Sequence, residues 1–448
     1  MDLLTANIKK LYLKYLSAAF GSALITSIYG LVDSAMVGQY HGPEGSAAMA
    51  VAAPVWNILY GFGLLTGIGG SVLFSTLRSE GVEKGAEANR YFSAAVIGTA
   101  ILALACWLGL VFFDEELLAL FGAGAEQLPL ALRYVRPIKC AAPLFLFVQL
   151  LSAFLRNDGD PVRATRAVIF GGVFNVFGDY FMIFTLNWGI FGAGAATCLG
   201  ALLSLLVMLG HFRLKANTLR WVRPAPLFPT LGRILSTGFP TFFIDIAMGI
   251  LTMLFNRQIL RYLNADALSV YAVIIAISTF VQCCAYSIGQ AAQPILSVNF
   301  GAKRPDRIRE ALRYAVLTAF VFALICTVLI EAVPNGFVRI FMQPTEGILR
   351  SAPGILRTYG ISFLLLPLNV FSTYYFQAIL RPQVSFIVSM ARGAVISGAL
   401  ILLLPALFGA NALWYAMPVT EAMTVLYAGV MMRRTLRPAA GAGPNSAS

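Results

Sequence analysis

The sequence predicts an all-α polytopic membrane protein: about twelve transmembrane helices in two six-helix lobes, related by a pseudo-two-fold axis along the membrane normal. Three observations carry that prediction. Of the 448 residues, 59% are hydrophobic and 12% charged, with a mean hydropathy of +0.79, whereas soluble domains run nearer a quarter charged. Apolar runs long enough to cross a bilayer of about 30 Å recur along the whole chain. The two halves also echo each other in the turns between those runs.

The runs are 14–38, 46–76, 91–113, 135–155, 162–186, 189–212, 234–260, 267–299, 311–333, 354–380, 383–408 and 411–432. The first lacks a small-residue cleavage site and is followed by eleven more, so it reads as a retained helix rather than a signal peptide. In the second, "GIGGS" at 67–71 looks like a nucleophile or phosphate loop. It has no P-loop lysine, and helix packing through small residues explains it better. No stretch between spans is long enough for a soluble catalytic or ATPase domain, so active transport would run on an ion gradient. The only histidines, His41 and His211, sit near loops, which leaves a membrane-embedded Ser–His or metal–His centre unsupported. The six cysteines fall in or beside spans and form neither a metal-ligand spacing nor a disulfide framework.

The net charge of +12 is topological rather than a nucleic-acid footprint. With both termini placed in the cytoplasm, 24 of the 32 basic residues collect on that side, Arg156, Arg381 and Arg392 among them. This is the positive-inside bias, and it places the chain as a multi-pass protein of the plasma (inner) membrane in contact with lipid headgroups.

The longest polar connection, 215–233, divides the spans six and six. It gives an N-terminal lobe at 1–214, a linker at 215–233, a C-terminal lobe at 234–433 and a disordered tail at 434–448. The halves match where Gly81 and Gly301 lead into charged turns. They match again at "AFLRNDGDP" (153–161) and "AILRPQ" (378–383), and at "GIFGAGAA" (189–196) and "ALFGANAL" (406–413). Six helices per half keep the repeats in the same orientation, a transporter architecture with its site between or within the lobes.

Four acids lie well inside apolar runs: Asp33, Asp179, Asp245 and Glu421. Such a residue costs roughly 2.5–3.5 kcal/mol at a helix centre and is functional by default. Asp179 interrupts "FGGVFNVFGDYFMIF" and shares a helical face with Asn175, four residues earlier. Carboxyls in a low-dielectric pocket can exchange protons, and amide and hydroxyl oxygens can complete the shell of a small hard cation.

The sequence resembles the multidrug and toxic compound extrusion (MATE) family over roughly residues 8–435. The resemblance is carried by "GLVDSAMVGQYHGPEGSAAMAVAAPV", "FLRNDGDP", "FNVFGDYFMIF", "GIFGAGAAT", "GQAAQPILSVNFGAKR" and "ILRPQ". It implies a secondary antiporter that exports organic cations in exchange for H⁺ or Na⁺. It places the ion-coupling site at Asp33, Asn175, Asp179 and Thr197, which would also hold Na⁺, with Tyr29 lining it. No cofactor other than that ion, no nucleic acid and no obligate protein partner is implied. Candidate substrate-contacting residues are Asp245, Met36, Trp56, Tyr60, Met182 and Glu421. The chain departs from many relatives in having no proline between Lys10 and Gly42, which leaves Gly21 and Gly30 to bend the first helix. The alternative is a flippase for a lipid-linked precursor, whose cavity would be cationic; buried acids rather than buried Lys or Arg favour a cationic substrate.

Overall fold

The computed structural model describes residues 3–121, 123–125, 127–341 and 344–436, with the side chains of Leu31, Pro43, Ser46, Val82, Asp245 and Ala265 outside the described part. Among the described residues the chain is helical and without strands. Eleven helices are long and apolar enough to span a membrane. They are α1 (Ile8–Gly42), α2 (Ala47–Glu80), α3 (Gly85–Phe112), α4 (Leu128–Asn157), α5 (Pro161–Thr185) and α6 (Ile190–Arg213). The second half supplies α7 (Leu227–Tyr262), α8 (Asp266–Gly301), α9 (Pro305–Ala332), α10 (Glu346–Ala378) and α11 (Pro382–Phe408). A twelfth, α12 (Ala416–Leu436), is diluted by Glu421, Arg433 and Arg434 but completes six per half. The repeat extends to detail: short helices Asp114–Leu120 and Pro334–Phe341 precede α4 and α10 at the same place in each half. Of the expected tail, residues 434–436 finish α12 and 437–448 lie outside the described residues.

Helices α1 and α2 are nearly continuous, broken at Gly42, whose φ of +67° is left-handed backbone that a side chain disfavours. Gly21 and Gly30 keep helical angles, and the break in backbone geometry falls at Gly42 instead. The polar connection is extended only as far as Pro226, because α7 already begins at Leu227. It is strapped down: the Asn89 amide donates to the Thr218 carbonyl (3.2 Å) and accepts from Arg220 N–H (2.7 Å), and Val222 N–H donates to Ser93 (2.9 Å). Asp158, in the α4–α5 turn, accepts from Thr218 N–H (3.0 Å), Arg78 (2.6 Å) and His211 (2.8 Å).

The two halves meet along a glycine seam. A Cβ on Gly238 of α7 would collide with the Leu65 carbonyl of α2, and one on Gly69 with the Ile234 carbonyl. At the far end Phe62 stacks on Phe242 (4.9 Å between centroids), and at the near end Gly301 of α8 lies against the Thr76 carbonyl. Small residues let backbones approach closely where hydrocarbon offers no hydrophobic drive for helix association. The seam follows the half of α2 nearest the chain termini. The first turns of α1 also belong to the second half's packing, where Leu11, Tyr12 and Tyr15 join Ile288, Ile295 and Phe371 in one buried cluster.

Two basic residues assigned to the polar face by sequence are not there. Arg392 is buried inside α11, in a π-helical segment at Ala391–Val395, and pairs with Glu421 of α12 at 2.6 Å. Arg156 is buried at the end of α4. Proximity to a turn suggested headgroup contact, but both side chains point into the protein, and buried basic groups are therefore present beside the buried acids.

Candidate functional site

Between the halves lies a cavity of about 600 Å³, the size of a drug-binding pocket. Its walls come from α1, α2, α4, α5, α6 and α8, and its lining is mostly apolar with aromatic rings at Tyr29, Trp56, Tyr60, Phe145 and Tyr286. Ser34, Ala50 and Asn57, on the side away from the chain termini, line it and are exposed.

The first half carries its polar cluster on the cavity wall. Asn175 and Asp179 stand one turn apart on α5, so one amide reaches both neighbours: Asn175 Nδ2 donates to Asp179 Oδ1 (3.3 Å) and to Thr197 Oγ1 of α6 (3.1 Å). Thr197 in turn donates to the Ala193 carbonyl (3.0 Å), which fixes its lone pairs towards Asn175. Across the wall, Trp56 Nε1 donates to the Tyr134 hydroxyl (3.1 Å), and Tyr134 interacts electrostatically with the Asp33 carboxyl. Asp33 and Asp179 interact electrostatically, and both act on Tyr134. Two residues beyond Asp179, α5 widens into a π-helical turn at Phe181–Thr185, a distortion common at functional sites.

Three oxygens in this cluster are buried with no hydrogen-bond partner: Asp33 Oδ1, Asn175 Oδ1 and Asp179 Oδ2. Buried acceptors are normally satisfied. Acceptors left open together want a proton or a small hard cation. Among the described residues no group of three His, Cys, Asp or Glu side chains forms a metal site, so a cation here would lean on amide, hydroxyl and carboxyl oxygens.

A family model for MatE matches residues 18–181 and again 240–402. The chain belongs to the MatE family. The double match falls on α1–α5 and α7–α11, the two echoing halves, and with the apolar helices it makes this MatE protein a multi-pass membrane transporter rather than an enzyme. A multidrug export protein MepA from Staphylococcus saprophyticus is 24% identical over 410 residues, 91% of this chain and 89% of that protein. MepA from Staphylococcus aureus strain MSSA476 is 23% identical, covering 90% and 89%. Among solved structures, the outward-facing conformation of a multidrug resistance MATE family transporter of the MOP superfamily superposes with a TM-score of 0.84 at 21% identity, over 97% of both chains. A MOP superfamily transporter from Pyrococcus furiosus, whose binding pocket is described as of reverse polarity, gives 0.88 at 21% identity, again over 97% of both. At that identity the structures speak to the fold.

Within the MatE fold, Asp33, Asn175, Asp179, Thr197 and Tyr29 come together on one wall. Asn175, Thr197, Asp33 and Tyr29 line the cavity itself, and Asp179 sits fully buried behind Asn175. Trp56 and Tyr60 line it as well. Met36 and Met182 are not among the lining residues: Met36 packs into the apolar core of the first half, and Met182 lies against Gly192. Glu421 is buried in the second half, bonded to Arg392 and Asn369 and away from the cavity. Asp245 lies in α7, its side chain outside the described residues. Sequence reasoning missed Tyr134, Arg156, Gln290 and Gln293, which also line the cavity. Their signal was weak, since a tyrosine or glutamine near a helix end is ordinary in any membrane protein.

Proposed function

We propose that this protein is a secondary antiporter that exports organic cations in exchange for H⁺ or Na⁺. It would lie in the plasma membrane with both termini cytoplasmic and use no cofactor beyond the coupling ion. The six-helix lobes at 1–214 and 234–433 would alternate access about the seam. The observation that carries this reading is the trio of open oxygens on Asp33, Asn175 and Asp179 beside a mostly apolar, aromatic cavity. A proton or Na⁺ taken there neutralises a carboxyl pair in a low-dielectric wall. The same pair, ionised, attracts a cation in the cavity, so ion and substrate compete for one charge.

Helix α1 is the element that would report the change. Its near half is tied to α5, where Ser22 bonds Thr165 (3.2 Å) and Thr165 donates to the Ala18 carbonyl (2.7 Å). It is tied also to α8, where Ser287 donates to the Ala19 carbonyl (3.4 Å). Its far half, with Asp33, is less confined: a Cβ at Gly30 would meet nothing within 4 Å. The aromatic lining suits flat cations through stacking and cation–π contact, and the multidrug export proteins named above are consistent with such substrates.

The test is ethidium accumulation in pump-deficient bacteria expressing wild type, Asp33→Asn or Asp179→Asn at matched membrane levels. Wild type lowers accumulation and both variants fail to. Normal export by both variants would refute the coupling role, and no export by well-expressed wild type would refute the substrate class.

A further inference from the structure

The floor of the cavity, at the end nearest the chain termini, has the opposite chemistry from the wall. Arg156 occupies the last turn of α4, is 9% exposed and lines the cavity. Its guanidinium donates to Gln290 Oε1 of α8, and its carbonyl accepts from the Tyr15 hydroxyl (3.1 Å), which fixes where the side chain starts. Tyr60 and Tyr374 interact with it electrostatically. One turn along α8, Gln293 is 3% exposed, also lines the cavity, and its Nε2 has no acceptor.

Arg156 is in no ion pair among the described residues. The acids nearest in sequence are already engaged: Asp158 by Arg78, His211 and Thr218, and Asp160 by Arg163 (3.1 Å). The wall carboxylates do not reach it. Tyr134, the partner of Asp33, lies 22 residues earlier on the same helix, about 33 Å along its axis at about 1.5 Å per residue. A buried, permanently charged guanidinium beside an unfilled amide donor is an unmet demand for a negatively charged acceptor.

We propose that Arg156 and Gln293 bind the acidic group, carboxylate or phosphate, of an amphiphilic substrate whose apolar body lies on the aromatic lining. This rests on the cavity being the substrate site, as in the preceding section. Charge-assisted hydrogen bonds from a planar guanidinium are strong and geometrically selective, so the group's effect on affinity is about tenfold or more.

The experiment compares two dyes that differ by one carboxylate: rhodamine 110, the free acid, and rhodamine 123, its methyl ester. Binding is read by fluorescence polarisation to the full-length protein in phosphatidylcholine nanodiscs, for wild type, Arg156→Gln, Arg156→Lys and Gln293→Leu. The proposal expects Arg156→Gln to weaken rhodamine 110 about tenfold more than rhodamine 123, with Arg156→Lys recovering part of the loss and Gln293→Leu falling between. Equal losses for the two dyes, or none for rhodamine 110, overturn it. Adding phosphatidylglycerol to the nanodiscs separates the sources of the anion. Competition with rhodamine 110 that disappears in Arg156→Gln supports a lipid headgroup, and no competition supports a soluble acid. If wild type binds rhodamine 110 but ethidium export fails, the cation-export reading falls and this one stands; if wild type exports ethidium but does not bind rhodamine 110, this one falls and the cation-export reading stands.

Discussion

Two buried charged clusters occupy matching helices of the two halves, and they are finished differently. In the first half, α5 and α6 carry Asn175, Asp179 and Thr197, with open oxygens on Asn175 and Asp179 in the wall of a cavity. In the second, α11 and α12 carry Arg392 and Glu421, where Glu421 accepts from Arg392 (2.6 Å) and from the Asn369 amide (2.6 Å), and Arg392 also reaches Gln282 (3.4 Å). Aligning "GIFGAGAA" with "ALFGANAL" puts Trp414 at the place of Thr197 and Glu421 at the place of Ser204. Aligning Pro161 with Pro382 puts Ile396 and Leu400 at the places of Asn175 and Asp179, and Arg392 at that of Gly171. The second half therefore has apolar residues where the first has its polar trio, and its own charge sits about two turns deeper, neutralised in place. A charge that is fully paired holds helices together; one left partly open is available to a ligand.

That contrast can be broken most directly in the second half. Glu421→Gln leaves Arg392 buried without a counter-charge and is expected to cost about 3–5 kcal/mol, read as a large drop in melting temperature in detergent. Replacing both, Arg392→Met with Glu421→Met, should recover most of it. A Glu421→Gln protein that melts like wild type but no longer exports would make the second half a working site too. A smaller effect sharpens the first half. Tyr134→Phe removes the hydroxyl between Trp56 and Asp33, a loss of about 1 kcal/mol, seen as a several-fold decrease in ethidium export with folding intact. Unchanged export would remove Tyr134 from the site.

The smallest effect concerns a third cluster, at the ends of α5 and α6 nearest the chain termini, where Asp160 caps α5 and bonds His211 and Arg163. Burial alone would raise the Asp160 carboxyl, but the hydrogen bonds from His211 and Arg163 outweigh it and hold the group below the usual range. A depressed acid contributes stability that is complete above its unfolded value of about 3.9 and is lost as pH falls through the folded one. Protease nicking of the 215–226 strap should thus rise in strong acid, as Asp160 takes up its proton. Because Asp160 is partly exposed, Asp160→Asn should cost about 1 kcal/mol or less. Nicking that stays unchanged in strong acid would remove Asp160 from the support of the strap.

The sequence made the helices legible because hydrocarbon imposes long apolar runs, and every span found there is present, most of them extended by a few polar residues. Asp33, Asn175 and Asp179 were legible for the same reason in reverse, as polar groups where hydrocarbon is the rule, whereas Thr197 was marked out only by the family resemblance. Arg156 and Arg392 were misplaced because a turn-proximal arginine looks the same in sequence whether it faces lipid headgroups or the neighbouring helix. Gln290 and Gln293 depend on α8 crossing α4 from the other half, a contact more than a hundred residues apart that no local pattern encodes. Met36 and Met182 were chosen for residue type in a chain rich in that type, and type without direction does not locate a wall.

The glycine seam has a mechanical consequence. Where α2 and α7 touch backbone to backbone at Gly69 and Gly238, there is no side chain to interlock and none to clear. In the proposed antiporter such a line would act as a pivot: the halves would tilt on it with little repacking, while parting would open a void along its length. A tilt of about 10° pivoted at that near-side contact would carry a residue at the opposite membrane face, about 30 Å away, through about 5 Å, enough to turn a gap one aromatic ring wide into a closed door.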